Sequence, residues 1–282
     1  MGLRIQNNIE AFNTHRQLSA TSAQASKSME KLSSGYRINR AADDAAGLAI
    51  SEKMRGQIGG LAQAQRNAQD GISLVQTAEG ALTEVHSMLQ RVRDLKVQYN
   101  NGTNSDDDKV AIASEVAQIA QEVGDIVSDT KFNGTAVFNN GTFSFQVGAN
   151  DTETVSTSAA NLSGTIASGG LSGLTNITDA AGASQALNSG GNLANISALD
   201  DAIKNVSKIR ADFGAVQNRL EHRLNNLATY QENLTASESR IRDVDMAAEM
   251  TKFTKLNILQ QAGTSMLAQA NQAPQGVLSL LR

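Results

Sequence analysis

The chain has 282 residues, a net charge of −4, no cysteine, no tryptophan and one proline, and 4% of its residues are aromatic. Globular cores gain much of their buried area from large aromatic and aliphatic side chains, so this composition favours long helices packed along narrow seams over a thick core. The negative charge disfavours a nucleic-acid binder, which would need clustered positive charge. Without cysteine there is no disulfide framework.

No stretch of about twenty apolar residues, the length that spans a bilayer, occurs in the sequence, so we expect no membrane insertion. The opening segment MGLRIQNNIEAFNTHRQLSA is interrupted by polar residues and lacks the apolar core of a secretory signal. We therefore expect either the cytoplasm or an exterior location reached without the usual secretion route.

The most regular pattern lies in the first half of the chain. Apolar side chains recur in steps of three and four residues from Ile58 to Tyr99, as in a coiled-coil seam, and predict one long helix from Asp44 to Tyr99. A glycine within a helix costs about 1 kcal/mol relative to alanine. We therefore expect neighbouring chain to pack closely against the glycines of this helix: Gly56, Gly59, Gly60, Gly71 and Gly80.

A second helix is predicted after a turn at Asn101-Gly102. Ser105 is placed to cap it, and the three aspartates at 106–108 would lie at the positive end of its dipole. Its seam runs through residues 112–126 in steps of four and three, which predicts a helical hairpin with the long helix.

The pattern then changes to a period of two residues. Phe143, Phe145 and Val147 alternate after an Asn140-Gly141 turn, which predicts a β-hairpin. Residues 149–195 are rich in Gly, Ser, Thr, Ala and Asn, and suit either a very small β-rich lobe or a mostly irregular projection.

Helical periodicity returns near the C-terminus. Residues 197–200 resemble a capping box, and a seam runs from Leu199 to Ile241, with helical composition continuing until Pro274. We expect these helices to pair with those from the N-terminus. The predicted fold is therefore mainly α, with long antiparallel coiled-coil helices from both chain ends and a small middle region that contains a β-hairpin.

The residues that could support catalysis or metal binding do not form a recognisable pattern. His15, His86 and His222 are far apart in the sequence, and no metal-ligand spacing or phosphate-binding glycine loop is present. The aspartates at 106–108 lack the alternating ligands of a calcium loop and fit helix capping better. We therefore predict no catalytic, metal or cofactor site, and no enzyme.

Three segments carry a family resemblance: RIQNNIEAFNTHRQL near the start, LSSGYRINRAADDAAGLAISEKMRGQIGGL at 32–61, and SRIRDVDMAAEMTKFTKLNILQQAGTSMLAQANQAPQGVLSLLR at 239–282. Together they closely resemble the bacterial flagellins, subunits of the filament used for swimming. A hook-filament junction protein shares parts of this pattern and is one alternative. A coiled-coil signalling protein is another, but it would need a membrane span or a partner domain.

The resemblance implies how the chain is divided. Residues 1–42 and 246–282 correspond to inner helices that line the filament channel. Residues 43–145 and 196–245 correspond to the two parts of a rod domain, the first with the helical hairpin and the β-hairpin. Residues 146–195, here called the middle region, correspond to a short variable surface.

The family pattern also implies that the chain polymerises with itself. The terminal segments have few strong apolar positions and a lone helix of this quality is marginal in water, so we predict that both are largely disordered in the monomer and fold on assembly. Asp43 and Asp44 lie where the inner segment meets the rod; with Arg40 they are interpreted either as a junction that caps the rod helix and pairs with arginines, or as a solvent-exposed helix start. Apolar residues near both ends are assigned to assembly: Ile5, Ile9, Phe12, Phe253, Leu256, Leu259 and Met266.

Further partners are implied by the resemblance alone. They are the flagellar export apparatus and its export chaperone, the filament cap and hook-junction proteins, and the host Toll-like receptor for flagellin, with secretion through the export channel to an extracellular filament. The residues that match the receptor-recognition pattern are Leu89, Gln90, Arg91, Leu95 and Glu115. Because Leu89 and Leu95 also belong to the predicted seam, Arg91 and Glu115 are the better candidates for contact.

Overall fold

A computed structural model describes residues 8–138, 142–158, 179–188 and 195–280, with the backbone alone at 180 and 273–280. The chain divides into two compact units. One, here called the terminal unit, comprises residues 1–58 and 232–282, and the other, the central unit, comprises residues 59–231.

The described residues form six helices and four short strands. In chain order these are α1 (Ile9–Ser34), α2 (Ala45–Tyr99), α3 (Asp106–Asp129), β1 (Lys131–Phe132), β2 (Thr135–Ala136), β3 (Thr142–Gln146), β4 (Thr154–Ser158), α4 (Ala180–Leu187), α5 (Ile196–Arg242) and α6 (Met246–Leu280). The prediction of a mainly helical fold is confirmed: helices from the two chain ends pack together, and the middle of the sequence contains two small antiparallel sheets.

The long helix predicted from Asp44 is present as α2. Asp44 caps it, because its Oδ1 accepts a 2.8 Å hydrogen bond from the backbone N–H of Gly47. The predicted seam is buried through most of its length, and its fully buried members are Ala68, Val75, Ala78, Leu82, Val85, Leu89 and Val92, each 0% exposed. These residues share one core with α3 and α5.

The expectation about the glycines of α2 is right at two positions. A Cβ added at Gly71 would lie 3.1 Å from the ring of Phe145, and one added at Gly60 would lie 3.1 Å from the Cβ of Ala149. The expectation is wrong within the described chain at Gly56, Gly59 and Gly80, where nothing lies within 4 Å of an added Cβ. Those three glycines are on open surfaces of the helix.

The second helix begins as the sequence predicts. Ser105 and Asp108 form a reciprocal capping box at the start of α3. Hydrogen bonds from the Ser105 side chain and backbone hold the pKa of Asp108 below its ordinary value, outweighing a small opposing effect of burial. The predicted seam of α3 is buried at Ile112, Val116 and Val123.

The predicted boundaries of the C-terminal helices need two corrections. The capping box at 197–200 is absent because α5 already begins at Ile196, and the carboxylate of Asp200 instead forms a 2.7 Å ion pair with Arg93. The predicted end near Pro274 is also wrong, since α6 continues to Leu280. A proline removes one intrahelical hydrogen bond and bends a helix, but it need not end it.

The β-structure differs from the prediction in its pairing. Strand β3 exists, but its partner is β4, with Phe145 opposite Val155, rather than the segment before Asn140-Gly141. The turn at 139–141 lies outside the described residues. A separate hairpin, β1–β2, turns at Asn133-Gly134, whose φ angles of 50° and 79° suit the two central positions of a type I′ turn.

Helix α4 was not predicted. It is capped at its N-terminus by Asp179, whose Oδ1 accepts a 2.7 Å hydrogen bond from Gly182 N–H, and it packs on α3. It has only eight residues, about two turns, and four of its five apolar residues are alanine, so the segment is too short and too weakly apolar to show a helical period.

Candidate assembly and recognition surfaces

The terminal unit is built on a pair of helices, α1 and α6. Their contact involves small and polar groups: a Cβ added at Gly263 would lie 3.2 Å from Leu18, and Asn8 Nδ2 donates a 2.7 Å hydrogen bond to the carbonyl of Ala270. The hydroxyl of Ser28, which is 1% exposed, donates a hydrogen bond to the carboxylate of Glu249. The pair therefore buries few large apolar side chains between its own helices.

Large apolar side chains of this unit instead face outward. Phe12 is 71% exposed on α1 and Ile258 is 62% exposed on α6. An open groove on α6 is lined mainly by apolar groups, from Met250, Thr251, Thr254, Lys255, Ile258 and Leu259. Exposed contiguous apolar surface of this kind marks interaction sites in soluble proteins.

The predicted assembly residues divide into three groups. Ile9, Phe12, Leu259 and Met266 are exposed, between 46% and 71%. Leu256 is buried and Phe253 is half-buried, so these two contribute to packing within the chain. Ile5 lies outside the described residues.

Asp43 and Asp44 lie in the segment between α1 and α2, and both carboxylates accept hydrogen bonds from backbone N–H groups. Asp43 Oδ2 accepts hydrogen bonds from the backbone N–H groups of Arg40, at 3.1 Å, and Asn39, at 3.3 Å. The bond from Arg40 is the main reason that the pKa of Asp43 is lowered. Asp44 caps α2, and Arg40 forms its ion pair with Glu30, at 2.9 Å. The two carboxylates therefore stabilise the backbone of the connecting segment and of the first turn of α2.

This segment pairs with the break between α5 and α6. Tyr36 and Asp243 form an isolated antiparallel bridge, and the N–H of Val244 donates a 3.0 Å hydrogen bond to the carbonyl of Gly35. The neighbouring Arg242 side chain is 14% exposed and lies 4.6 Å from the centre of the Tyr36 ring. We call this paired region the junction, comprising residues 35–44 and 242–245.

Sequence reasoning missed the role of Arg242. The sequence gives little indication of this role, because an arginine near a helix end is usually a solvated residue that complements the helix dipole. Only the pairing of two segments about 200 residues apart, which local periodicity does not reveal, brings it against Tyr36.

The predicted receptor-recognition residues lie on α2 and α3 in the central unit. Leu89 and Leu95 are 0% and 2% exposed, so they belong to the core. Arg91 and Glu115 are exposed and form an ion pair, with Arg91 Nη2 2.6 Å and Arg91 Nε 2.8 Å from the same oxygen of Glu115. Gln90 is also on the surface, 3.0 Å from the ring nitrogen of His86.

Comparison with known proteins matches the N-terminal and C-terminal parts of the chain to the same family. The pattern of the bacterial flagellin N-terminal helical region matches residues 5–142, and that of the bacterial flagellin C-terminal helical region matches residues 196–281. The chain is 50% identical to the flagellin of Bacillus subtilis strain 168, over 99% of this chain and 100% of that one.

The chain belongs to the bacterial flagellin family. It is likewise 51% identical to the flagellin of Halalkalibacterium halodurans, over 99% of both chains. Among solved structures, the crystal structure of Bacillus cereus flagellin is 33% identical, covers 57% of this chain and 88% of that chain, and has a TM-score of 0.47.

Family membership establishes the main function. The chain is a structural subunit that self-assembles into the flagellar filament, an extracellular structure of swimming motility. This full-length likeness to flagellins favours the filament subunit over the hook-filament junction protein and the coiled-coil signalling protein.

Two further findings concern only the described residues. No three His, Asp or Glu side chains there lie close enough to hold a metal ion together. In the same part of the chain, no helix combines the length and apolar content needed to cross a membrane.

Proposed function

We propose that filament assembly proceeds through coupled folding of the two terminal segments, 1–42 and 246–282. In this proposal they form the inner layer around the channel, residues 43–145 and 196–245 form the rod, and residues 146–195 face outward. The supporting observation is that large apolar side chains of the terminal unit are exposed, with Phe12 of α1 at 71% and Ile258 of α6 at 62%.

The physical argument rests on how little the two terminal helices bury against each other. Fixing one backbone residue costs roughly 1–2 kcal/mol of conformational entropy, and burial of a Leu, Ile or Phe side chain returns about 1.5–3 kcal/mol. Among the described side chains of α1 and α6, most large apolar ones are exposed within one chain, and the buried apolar residues are Ala25, Leu256 and Ala270. The ordered terminal pair therefore needs the surfaces of neighbouring subunits, and both segments are largely disordered in the monomer.

Amide hydrogen exchange in monomer and filament tests this coupling. We expect residues 8–34 and 246–272 to exchange rapidly in the monomer and to become strongly protected in the filament. Residues 74–95 of α2 are the internal control, because their buried side chains should protect them in both states. Strong protection of both terminal segments in the monomer would contradict the proposal.

Disorder of the terminal segments in the monomer would also favour export of the chain. A chain with unfolded ends can pass through a narrow export channel, and apolar residues such as Ile258 and Leu259 need a cover before assembly. We therefore include the export apparatus and an export chaperone among the partners, with the cap and hook-junction proteins at the filament ends. The chain acts as a structural protein and not as an enzyme.

Recognition by the host Toll-like receptor for flagellin is a second proposed function. It is supported by the exposed ion pair of Arg91 and Glu115, which presents two charged groups in a fixed arrangement on the central unit. Of the predicted residues, Gln90, Arg91 and Glu115 are candidates for contact, whereas Leu89 and Leu95 support them from the core.

A receptor-reporter assay with purified monomer tests this proposal. We expect Arg91→Ala to weaken activation by roughly tenfold or more, as for a contact residue worth over 1.4 kcal/mol. Arg93→Ala is the matched control, because Arg93 lies on the same helix and also forms an exposed ion pair, with Asp200. Equal potency of the Arg91→Ala and Arg93→Ala proteins would refute the assignment.

A further inference from the structure

The described part of the middle region includes α4, which is attached to the core of the central unit. Ala183 and Leu187 are 0% and 1% exposed within the apolar core that α2, α3 and α5 also line, and Ala186 packs against it. A helix of eight residues is too short to be stable by itself in water. Its position must therefore be fixed by contacts with the rest of the unit.

Lys96 of α2 lies at the C-terminal end of α4. The residue is 2% exposed, and its Nζ donates a 2.6 Å hydrogen bond to the backbone carbonyl of Leu187. The last carbonyl groups of a helix have no partner within the helix. The ammonium group satisfies one of them and places a positive charge at the negative end of the helix dipole.

Tyr99, one turn further along α2, reinforces the same end of α4. Its hydroxyl donates a 3.1 Å hydrogen bond to the side-chain carbonyl of Asn188, the residue that terminates α4. The ring of Tyr99 is also 5.3 Å from Lys96 Nζ, within range of a cation–π interaction. Two side chains of one rod helix therefore hold two consecutive residues of the middle region.

The burial of Lys96 is otherwise unfavourable. Burial lowers its pKa because the charged form loses hydration, and an apolar residue would fill a core position at lower cost. Its polar partner is a carbonyl oxygen that only a donor can satisfy. We propose that Lys96 is a positioning residue that, together with Tyr99, fixes α4 of the middle region against α2 by capping the C-terminal end of α4.

The experiment compares Lys96→Met with Lys109→Met in purified full-length monomer. Methionine keeps the length and apolar character of the lysine stem but removes the donor and the charge. Lys109 loses the same charge from α3, where it is paired with Asp106 at 3.7 Å. We expect amides of residues 183–188 to exchange on the order of tenfold faster in the Lys96→Met protein, with unchanged exchange in α3 and in the Lys109→Met protein.

Two further variants separate capping from general core packing. Lys96→Arg retains a charged donor and should restore most of the protection of α4, whereas Tyr99→Phe should accelerate exchange at 183–188 by a smaller factor than Lys96→Met. If Lys96→Met leaves α4 as protected as Lys109→Met does, the proposal is wrong. It is equally wrong if exchange rises by the same factor throughout α2, α3 and α5, since Lys96 would then be an ordinary core residue.

Discussion

The guanidinium group of Arg242 lies 2.9 Å from the carboxylate of Glu52, within the terminal unit. The arginine side chain is 14% exposed, against 54% for the glutamate, and its Nε is buried without a hydrogen-bond partner among the described residues. Glu238 is a second ionic partner at the longer distance of 3.9 Å, and the Tyr36 ring lies beside the guanidinium group, so this largely buried cation depends mainly on Glu52. The end of α5 is thus tied to the first turns of α2 by one side chain.

We predict that Arg242→Ala lowers the free energy of unfolding of the monomer by roughly 1–2 kcal/mol, from the lost ion pair with Glu52, a residue outside the terminal segments that fold on assembly. Urea unfolding followed by circular dichroism measures this. Arg55→Ala is the control, because Arg55 pairs with the same glutamate at 3.2 Å but is 53% exposed. Its loss should cost less than about 0.5 kcal/mol, and equal effects of the two substitutions would contradict a special role for Arg242.

Gly47 provides a second prediction. A Cβ at this position would lie 2.5 Å from Oδ2 of Asp44 and 2.7 Å from Cδ1 of Ile38, which is 1% exposed. Gly47→Ala should therefore displace the cap of α2 and destabilise the monomer by roughly 1–3 kcal/mol.

The matched substitution is Gly56→Ala in the same helix, where nothing lies within 4 Å of the new Cβ. Alanine is the better helix former there, so we expect a gain of about 0.5–1 kcal/mol in unfolding free energy. Thermal and urea unfolding of both proteins measure whether each substitution raises or lowers the free energy of unfolding. A stabilising Gly47→Ala would show that the cap region rearranges freely.

Periodicity along the sequence predicted the helices well, for a physical reason. The seam of α2 consists of residues that contact neighbouring helices throughout, so its spacing of three and four residues is visible locally and every fully buried member was expected. The cap of α3 at Ser105 is likewise a local signal that the structure confirms, and the structure adds the reciprocal bond from Asp108.

The sequence was least informative where distant residues determine the structure. Strand β3 was predicted from its alternation, but its pairing with β4 depends on the seven-residue connection VGANDTE, which lacks the Asn-Gly or Asp-Gly pair of a tight hairpin. The contacts of Lys96 with Leu187 and of Arg242 with Tyr36 join residues that no periodicity relates. Both were missed, because a charged residue within a helix ordinarily points to solvent.

Acidification should weaken the assembled filament through Glu249. Burial by itself raises the pKa of this carboxyl, but the hydrogen bond from Ser28 and the charges of Lys252 and Lys31 outweigh it, so the pKa lies below its ordinary value of 4.5. In a released monomer with disordered ends the pKa returns to the ordinary value. A lowered acid pKa contributes stability that is complete above about pH 4.5 and is lost as pH falls through the pKa of the assembled state.

Removal of the Ser28 hydroxyl should shift this acid transition. In Ser28→Ala filaments the pKa of Glu249 rises, because burial continues to favour the neutral form, so depolymerisation should begin at a higher pH than in the unaltered protein. Sedimentation of filaments across pH 2–6 measures the shift. Thr21→Ala removes a hydroxyl that bonds the carbonyl of Gln17 on the same helix and should not move the transition. Coincident curves for the two variants would exclude Glu249 as a determinant.

The groove on α6 leads to the last prediction, which concerns assembly itself. Ile258 is 62% exposed beside Met250 and Leu259 in one chain, and its burial by a neighbouring subunit would contribute about 1.5–3 kcal/mol. Ile258→Asn should then raise the monomer concentration that remains at the end of growth by roughly ten- to a hundredfold. Sedimentation after seeding with filament fragments measures that concentration.

Val110→Asn is the control, because it changes a similarly exposed apolar residue on α3, 54% exposed. It should leave the residual monomer concentration within about threefold of the original value, a difference under 1 kcal/mol. Because both substituted side chains are exposed in the monomer, neither should alter its helicity, and equal growth of the two variants would place the assembly contact elsewhere than on this face of α6.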